Sequence, residues 1–168
     1  VRFETGDARQ AYLVDRGPFN NWASLVARVF AQQREIAAAR QVTLLHEIEP
    51  DLPPVEVHEG YLEDAIMRLV ENGIKFSKHA GGHVWVKVAL DGQRIRCSVQ
   101  DDGIGLQADE VGKIFDRFHQ INRRRLEQQG AGIGLAIVKD IIELHRGEVA
   151  CVSTEGIGSE FTLWLPLR

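Results

Sequence analysis

The chain is short of cysteine and has no excess of basic residues, and each lack removes a class of protein. Cys97 and Cys151 are the only two cysteines, too few for a disulfide-rich secreted scaffold. Each stands among alternating apolar residues, which predicts buried free thiols in a reducing compartment rather than a bridge. Lys and Arg number 20 against 24 Asp and Glu, a net charge of -4 that argues against a nucleic-acid binder with its usual basic face. No apolar run approaches the ~20 residues of a membrane helix, and the first residues do not form a signal peptide, so no direct membrane contact is expected. A Walker-type G-x-x-x-x-G-K-[ST] loop is missing, as are internal repeats and low-complexity tracts. His58, His79, His83, His119 and His145 show no metal-ligand spacing and no nucleophile pair. What remains is a globular composition, 44% hydrophobic and 26% charged over 168 residues, enough for one well-buried domain. The chain begins at Val1 and reads as a piece of a longer protein.

Residues 1–16 are polar apart from Ala11-Tyr12-Leu13-Val14, which predicts a linker ending in an edge strand. From Pro18 to Arg40, Phe19, Trp22, Leu25, Val26, Val29, Phe30 and Ile36 recur mostly at three and four, a helix with proline at its start. Val42–Ile48 is a short β-type run stopped by Pro50-Asp51-Leu52-Pro53-Pro54. A second helix is expected from about Glu59 to Phe76, with Leu62, Ile66, Leu69, Val70 and Gly73 near one stripe. His83–Leu90 and Arg94–Gln100 alternate around Asp91-Gly92, a hairpin signal. Residues 102–130 carry Gly, charge and Gln with one apolar interlude at Val111–Phe118, and a functional lid over about 106–130, mobile without ligand, is expected there. A third helix, Ala131–His145, stops at Gly147, and strands Glu148–Thr154 and Glu160–Leu165 close the chain. The order implies a two-layer α/β sandwich, a mixed sheet covered on one face by three helices.

Four clusters carry chemistry, each weak alone. In Asn72-Gly73-Ile74-Lys75-Phe76 the amide oxygen can ligate Mg²⁺, the lysine shares its face and can meet phosphate, and the ring can cover a base; a polar helix end with a core Phe is the plainer alternative. Asp101-Asp102-Gly103-Ile104-Gly105 follows a strand, where a carboxylate can accept the exocyclic amine of adenine and glycines admit close backbone approach; alone it could be an acidic turn. Gly130-Ala131-Gly132-Ile133-Gly134-Leu135 opens a helix whose free N–H groups suit phosphate. It is not a dinucleotide fingerprint, because no strand precedes it directly. Gly156-Ile157-Gly158-Ser159-Glu160-Phe161 lies in the final hairpin and could be a plain turn.

In that order the clusters resemble the N, G1, G2 and G3 boxes of the Bergerat ATP-binding fold. Phe115-Asp116-Arg117-Phe118, the Gly134-Leu135-Ala136-Ile137-Val138 run and the short lid are similar to sensor histidine kinases rather than topoisomerases or chaperones. The resemblance spans about residue 18 to Pro166 and implies an ATP-binding catalytic domain over 18–168, with 1–17 as the end of a dimerisation helix and its linker. It implies that Asp101 binds the adenine amine, Asn72 holds Mg²⁺, Lys75 meets phosphate and Phe76 lies along the base or sugar. Gly103 and Gly105 would line the adenine pocket with Ser159. Gly130, Gly132, Gly134 and Leu135 would carry the lid hinge and the phosphate-facing helix start. Such a domain transfers the γ-phosphoryl group of ATP to a histidine on a separate dimerisation domain for relay to a response regulator, in the cytoplasm.

Departures from that pattern sit at Arg68, where a second asparagine is usual, and at Gln120, where an arginine often reaches the terminal phosphate. Arg117 or Arg123-Arg124-Arg125 offers an alternative charge, and a solvated lid face is the plainer role for that run. Arg68 stands one turn before Asn72 and is expected either to face the same phosphate region or to pair outward with Asp64. His46-Glu47-Ile48-Glu49-Pro50 superficially resembles a phosphoacceptor box, but it lies in a β-type run stopped by prolines, and a plain strand histidine is the reading taken. Two rivals remain: a degenerate nucleotide-binding regulatory module, and an anti-sigma-type serine kinase of the same fold.

Overall fold

The computed structural model describes residues 5–78, 81–116 and 134–167, with side chains from residue 9 onward. The elements are α1 (Thr5–Asp15), β1 (Gly17–Phe19), α2 (Trp22–Ala39), β2 (Thr43–Ile48), β3 (Val55–Val57), α3 (Glu59–Lys75), β4 (His83–Asp91), β5 (Arg94–Asp101), α4 (Ala108–Val111), α5 (Gly134–Leu144), β6 (Glu148–Thr154) and β7 (Gly158–Pro166).

Five strands form one sheet in the order β2-β4-β5-β7-β6. Only the β2–β4 pair is parallel, the others being antiparallel, so the sheet is mixed as expected. Period-two alternation turns Val84, Val86 and Val88 of β4, Ile95, Cys97 and Val99 of β5, and Phe161, Leu163 and Leu165 of β7 to one buried face. The other face carries residues such as Lys87, Arg96 and Thr162. Helices α2, α3 and α5 cover the buried face through their apolar stripes, Leu25, Val26 and Val29 of α2, Ile66 and Val70 of α3, and Val138, Ile141 and Ile142 of α5, all essentially inaccessible. At Gly73 the α3 backbone presses on the sheet, since a methyl group there would stand 3.1 Å from a Val84 methyl and 3.6 Å from Asp101 Cβ. That contact brings the end of α3 beside the end of β5.

Local chemistry sets the ends of the elements. Asn21 caps α2 by accepting from Ser24 N–H, and His58 caps α3 through Nδ1, which accepts from Tyr61 N–H at 3.1 Å. Gly147 donates its N–H to Ile142 O and closes α5, as expected from its position. Cys97 and Cys151 are free. Cys97 is fully buried and Cys151 only partly, and burial pushes both thiols up to about 12.

Several expectations need correction. Ala11–Val14 belongs to helix α1 rather than an edge strand; the helical turn lays Tyr12 edge-on against His145 at 4.6 Å while Leu13 and Val14 face outward. The strand comes afterwards at Gly17–Phe19, paired antiparallel with Val55–Val57 in a separate two-stranded sheet. Pro18 therefore sits in a strand, and α2 starts four residues later. The lid expected from about 106 is a packed segment as far as it is described. Leu106 and Ile114 are buried and Glu110 Oε1 accepts from Gln107 N–H at the start of α4. Gly130, Gly132, Arg117, Phe118, Gln120 and Arg123–Arg125 lie outside the described residues.

Candidate functional site

Three chain segments converge at the end of the sheet where β5 stops. Asp101, its last residue, is 6% exposed, and its Oδ1 accepts from Gly103 N–H at 2.9 Å and Ser159 N–H at 3.3 Å. Burial pushes its pKa up to about 6; the two N–H donors pull the other way, and the neighbouring Asp102 charge adds a little. Among the described residues both bonds fall on Oδ1, so Oδ2 is left to meet a ligand donor.

The loop after Asp101 is stitched to both neighbours by its backbone. Ile104 N–H donates to Phe76 O at the end of α3, and Gly156 N–H of the last hairpin donates to Ile104 O. Glycine is required where these backbones touch: a Cβ at Gly103 would lie 2.3 Å from Phe76 O, and one at Gly105, which has φ of 68°, would lie 2.1 Å from Thr154 O. Lys78 Nζ also reaches Gly156 O, tying the stretch after α3 to the same turn. Asp102 points outward, its two oxygens accepting from His83 N–H and meeting His83 Nδ1, each at 2.8 Å.

A narrow cleft opens beside this junction, with walls that include Asn72, Phe76, Gly105, Ile114 and Ser159. Asn72 is 5% exposed and its Oδ1 has no hydrogen-bond partner among the described residues, an arrangement that costs ~1–3 kcal/mol unless a ligand or cation completes it. The structure thus brings Asn72, Phe76, Asp101, Gly103, Gly105 and Ser159 together, as the sequence led one to expect. Lys75 stands outside the cleft walls, its Nζ 3.8 Å from Glu71 Oε1 and its side chain about one-third exposed.

Gly134 and Leu135 begin α5, with Leu135 buried in the core. Arg68 faces them across the α3–α5 contact: a Cβ placed on Gly134 would lie 3.7 Å from Arg68 Nη1. Its Nε donates to Asp64 Oδ2 at 3.0 Å. Arg68 thus makes the expected pair with Asp64 while its Nη1 stands beside the start of α5. His46 lies in β2, exposed, with its ring 6.1 Å from that of Phe30.

One polar residue of the site was missed. Ser153 Oγ accepts from Leu106 N–H at 2.8 Å, donates to Gly158 O at 3.1 Å and meets Ser159 Oγ at 2.8 Å. It pins the loop after β5 to the last hairpin, but a serine in an alternating strand gives no sequence signal of that. Phe161, which meets the Phe115 ring edge to face at 6.0 Å, and Ile114 supply the apolar wall.

Known proteins resemble this chain in sequence and in fold. Residues 58–168 match the family described as histidine kinase-, DNA gyrase B- and HSP90-like ATPase. The alginate biosynthesis sensor protein KinB of Pseudomonas aeruginosa is 36% identical over 139 residues, covering 82% of this chain and 23% of KinB. The crystal structure of full-length ShkA in complex with AMPPNP superposes with a TM-score of 0.77 at 28% identity, covering 91% of this chain and 31% of that one. The catalytic domain of histidine kinase ThkA has a TM-score of 0.77 at 23% identity over 90% of this chain and 95% of that domain, a likeness of fold. The chain thus spans about a quarter of KinB and most of an isolated kinase catalytic domain.

Proposed function

Because the chain belongs to the histidine kinase-, DNA gyrase B- and HSP90-like ATPase family, as a catalytic domain of the sensor histidine kinase type, we propose that it binds Mg-ATP in the Asn72–Asp101 cleft and presents the γ-phosphoryl group to a histidine on its own upstream dimerisation domain. One observation carries this most: the buried Asp101 carboxylate and the buried Asn72 Oδ1, which has no hydrogen-bond partner among the described residues, stand at the junction where α3, the end of β5 and the last hairpin meet.

Asp101 Oδ2 accepts the adenine amine, and Phe76 and Ser159 flank the base, with Gly103 and Gly105 letting the backbone close around it. The residues present fit a magnesium ion. Among the described residues no group of three or more His, Cys, Asp or Glu side chains gathers to cage one, and Mg²⁺ is commonly held by one or two protein oxygens, phosphates and water. Asn72 Oδ1 is that protein oxygen, and the ion neutralises phosphate charge when bound. The start of α5 at Gly134 and Leu135, with Gly130 and Gly132 before it, offers N–H groups to phosphate, while Lys75 exchanges its weak Glu71 contact for a phosphate oxygen.

In the transfer, an imidazole nitrogen lone pair on the acceptor histidine forms the N–P bond. The bond between Pγ and the bridging oxygen breaks, ADP leaves with that electron pair, and the ring N–H proton is released. Relay to a receiver aspartate on a response regulator follows. No helix among the described residues is long and apolar enough to cross a membrane; cellular ATP and free thiols suit a cytoplasmic setting.

Calorimetry with Mg²⁺ and ATP, ADP or GTP tests the reading. ATP and ADP should bind, and GTP, which carries a carbonyl acceptor at C6 where adenine carries its amine donor, should bind at least roughly tenfold more weakly. Equal affinity for ATP and GTP removes the role of Asp101. Incubated with γ-labelled ATP, the chain alone should stay unlabelled; acid-labile label on His46 would reverse the reading of that residue.

A further inference from the structure

We propose that Arg68 is a phosphate-binding residue of the nucleotide site and that Asp64 positions it. The proposal rests on the nucleotide-binding reading above and adds a residue and a charge to it.

Arg68 lies on α3 one turn before Asn72, and the two share a side of the helix. Its side chain is 21% exposed, more enclosed than a simple solvent-facing ion pair. The guanidinium is turned so that Nε meets Asp64 while Nη1 stands against the first residue of α5. That is an unfavourable place for a cation, because the unpaired N–H groups of a helix start make its N-terminus positive. Among the described residues Asp64 is its only hydrogen-bond or ion-pair partner. Asp64 engages one edge of the planar fork through Nε, which leaves Nη1 beside the start of α5. An anion there satisfies both, and a planar guanidinium is suited to phosphate oxygens.

An independent feature on the same side of α3 points to a ligand: Asn72, one turn on, is 5% exposed and its Oδ1 has no hydrogen-bond partner among the described residues. A metal-binding oxygen and a phosphate-binding cation side by side on one helix fit a metal-bound polyphosphate. Asp64 holds the arginine toward α5 and keeps its charge partly neutralised while the site is empty. The chemistry recognised is the β- or γ-phosphate of a nucleoside polyphosphate; a monophosphate anchored by its base stops short of it.

The test measures affinities of ATP and AMP for the original chain and for Arg68→Ala, Arg68→Lys and Asp64→Asn, with Mg²⁺ and with EDTA, after thermal melts confirm folding. Arg68→Ala should lose roughly tenfold for ATP, the scale of one charge-assisted hydrogen bond, with AMP almost unaffected. Arg68→Lys should recover part of that loss. Asp64→Asn should show a smaller loss with the same bias toward ATP. In EDTA the original chain should keep more of its ATP binding than Arg68→Ala does. A merely structural role, through α3–α5 packing, would weaken AMP and ATP alike, and that result overturns the proposal. Unchanged ATP affinity in Arg68→Ala, while the original chain binds ATP, overturns the Arg68 assignment alone. Absence of adenine-nucleotide binding by the original chain overturns the nucleotide-site reading and this proposal with it.

Discussion

Replacing Asp101 by asparagine should make the empty protein more stable and the nucleotide site worse. The buried carboxyl has its pKa pushed from 3.8 up to about 6, so the folded state holds its proton more tightly than the unfolded chain. Stability from this group is therefore greatest below pH 3.8 and falls as pH rises toward 6. A shift of about two units costs about 3 kcal/mol at neutral pH, at 1.36 kcal/mol per unit. Asparagine copies the shape of the protonated acid, and its Oδ1 can still accept from Gly103 and Ser159 N–H, so Asp101→Asn should recover most of that cost. The amide, however, places a donor where Oδ2 must accept from adenine, and ATP affinity should drop by ~1–3 kcal/mol. Urea unfolding without nucleotide should show the variant more stable by about 3 kcal/mol at about pH 7 and by only about 1 kcal/mol at about pH 4.5, where the original carboxyl is already protonated. Calorimetry supplies the ATP arm. A variant less stable than the original at neutral pH, or one that binds ATP equally well, would refute the reasoning.

Two further outcomes follow from groups outside the ligand contacts. Ser153→Ala removes a hydroxyl that serves Leu106 N–H, Gly158 O and Ser159 Oγ; ATP binding should weaken severalfold, Ser153→Thr should restore part of it, and an unchanged affinity would make the hydroxyl a bystander. His145, 3% exposed, accepts from His58 N–H through Nε2 and turns Nδ1 to Ile141 O, and burial lowers its pKa. The folded state binds its proton less readily than the unfolded chain, so the stability it contributes is present above the ordinary value of 6.5 and is lost as pH falls below it. His145→Gln should flatten the urea midpoint against pH between about 7.5 and 5.5; an unchanged slope would place the titration elsewhere.

Much of the molecule was legible in the residues alone, because its strands and helices bury one face each. Alternation in 83–100 and 160–165 marked the central hairpin and the last strand, and the stripe in α3 marked the helix that carries Asn72. Glycines at 103 and 105 are legible as letting the backbone approach a bound ring or turn sharply; that they stand where protein backbones touch, against Phe76 O and Thr154 O, only the tertiary structure showed. Period and turn chemistry act over a few residues, and that range sets what such reading reaches. It failed at Ala11–Val14, where apolar content suits strand or helix equally and the ring of His145, far along the chain, decides for the helix. In Leu106–Asp116, the described part of the expected lid, only the tertiary structure showed that Leu106 and Ile114 are buried. Tertiary structure alone set Asp101 behind Ser159 and beside α3, left Asn72 Oδ1 without a partner, and made a serine in β6 the pin of the site. It also turned Arg68 two ways at once, toward Asp64 on its own helix and toward the start of α5. Spacing along α3 could place Arg68 near Asp64 and Asn72, but only the packing of α5 against that helix brought the positive N-terminus to its guanidinium.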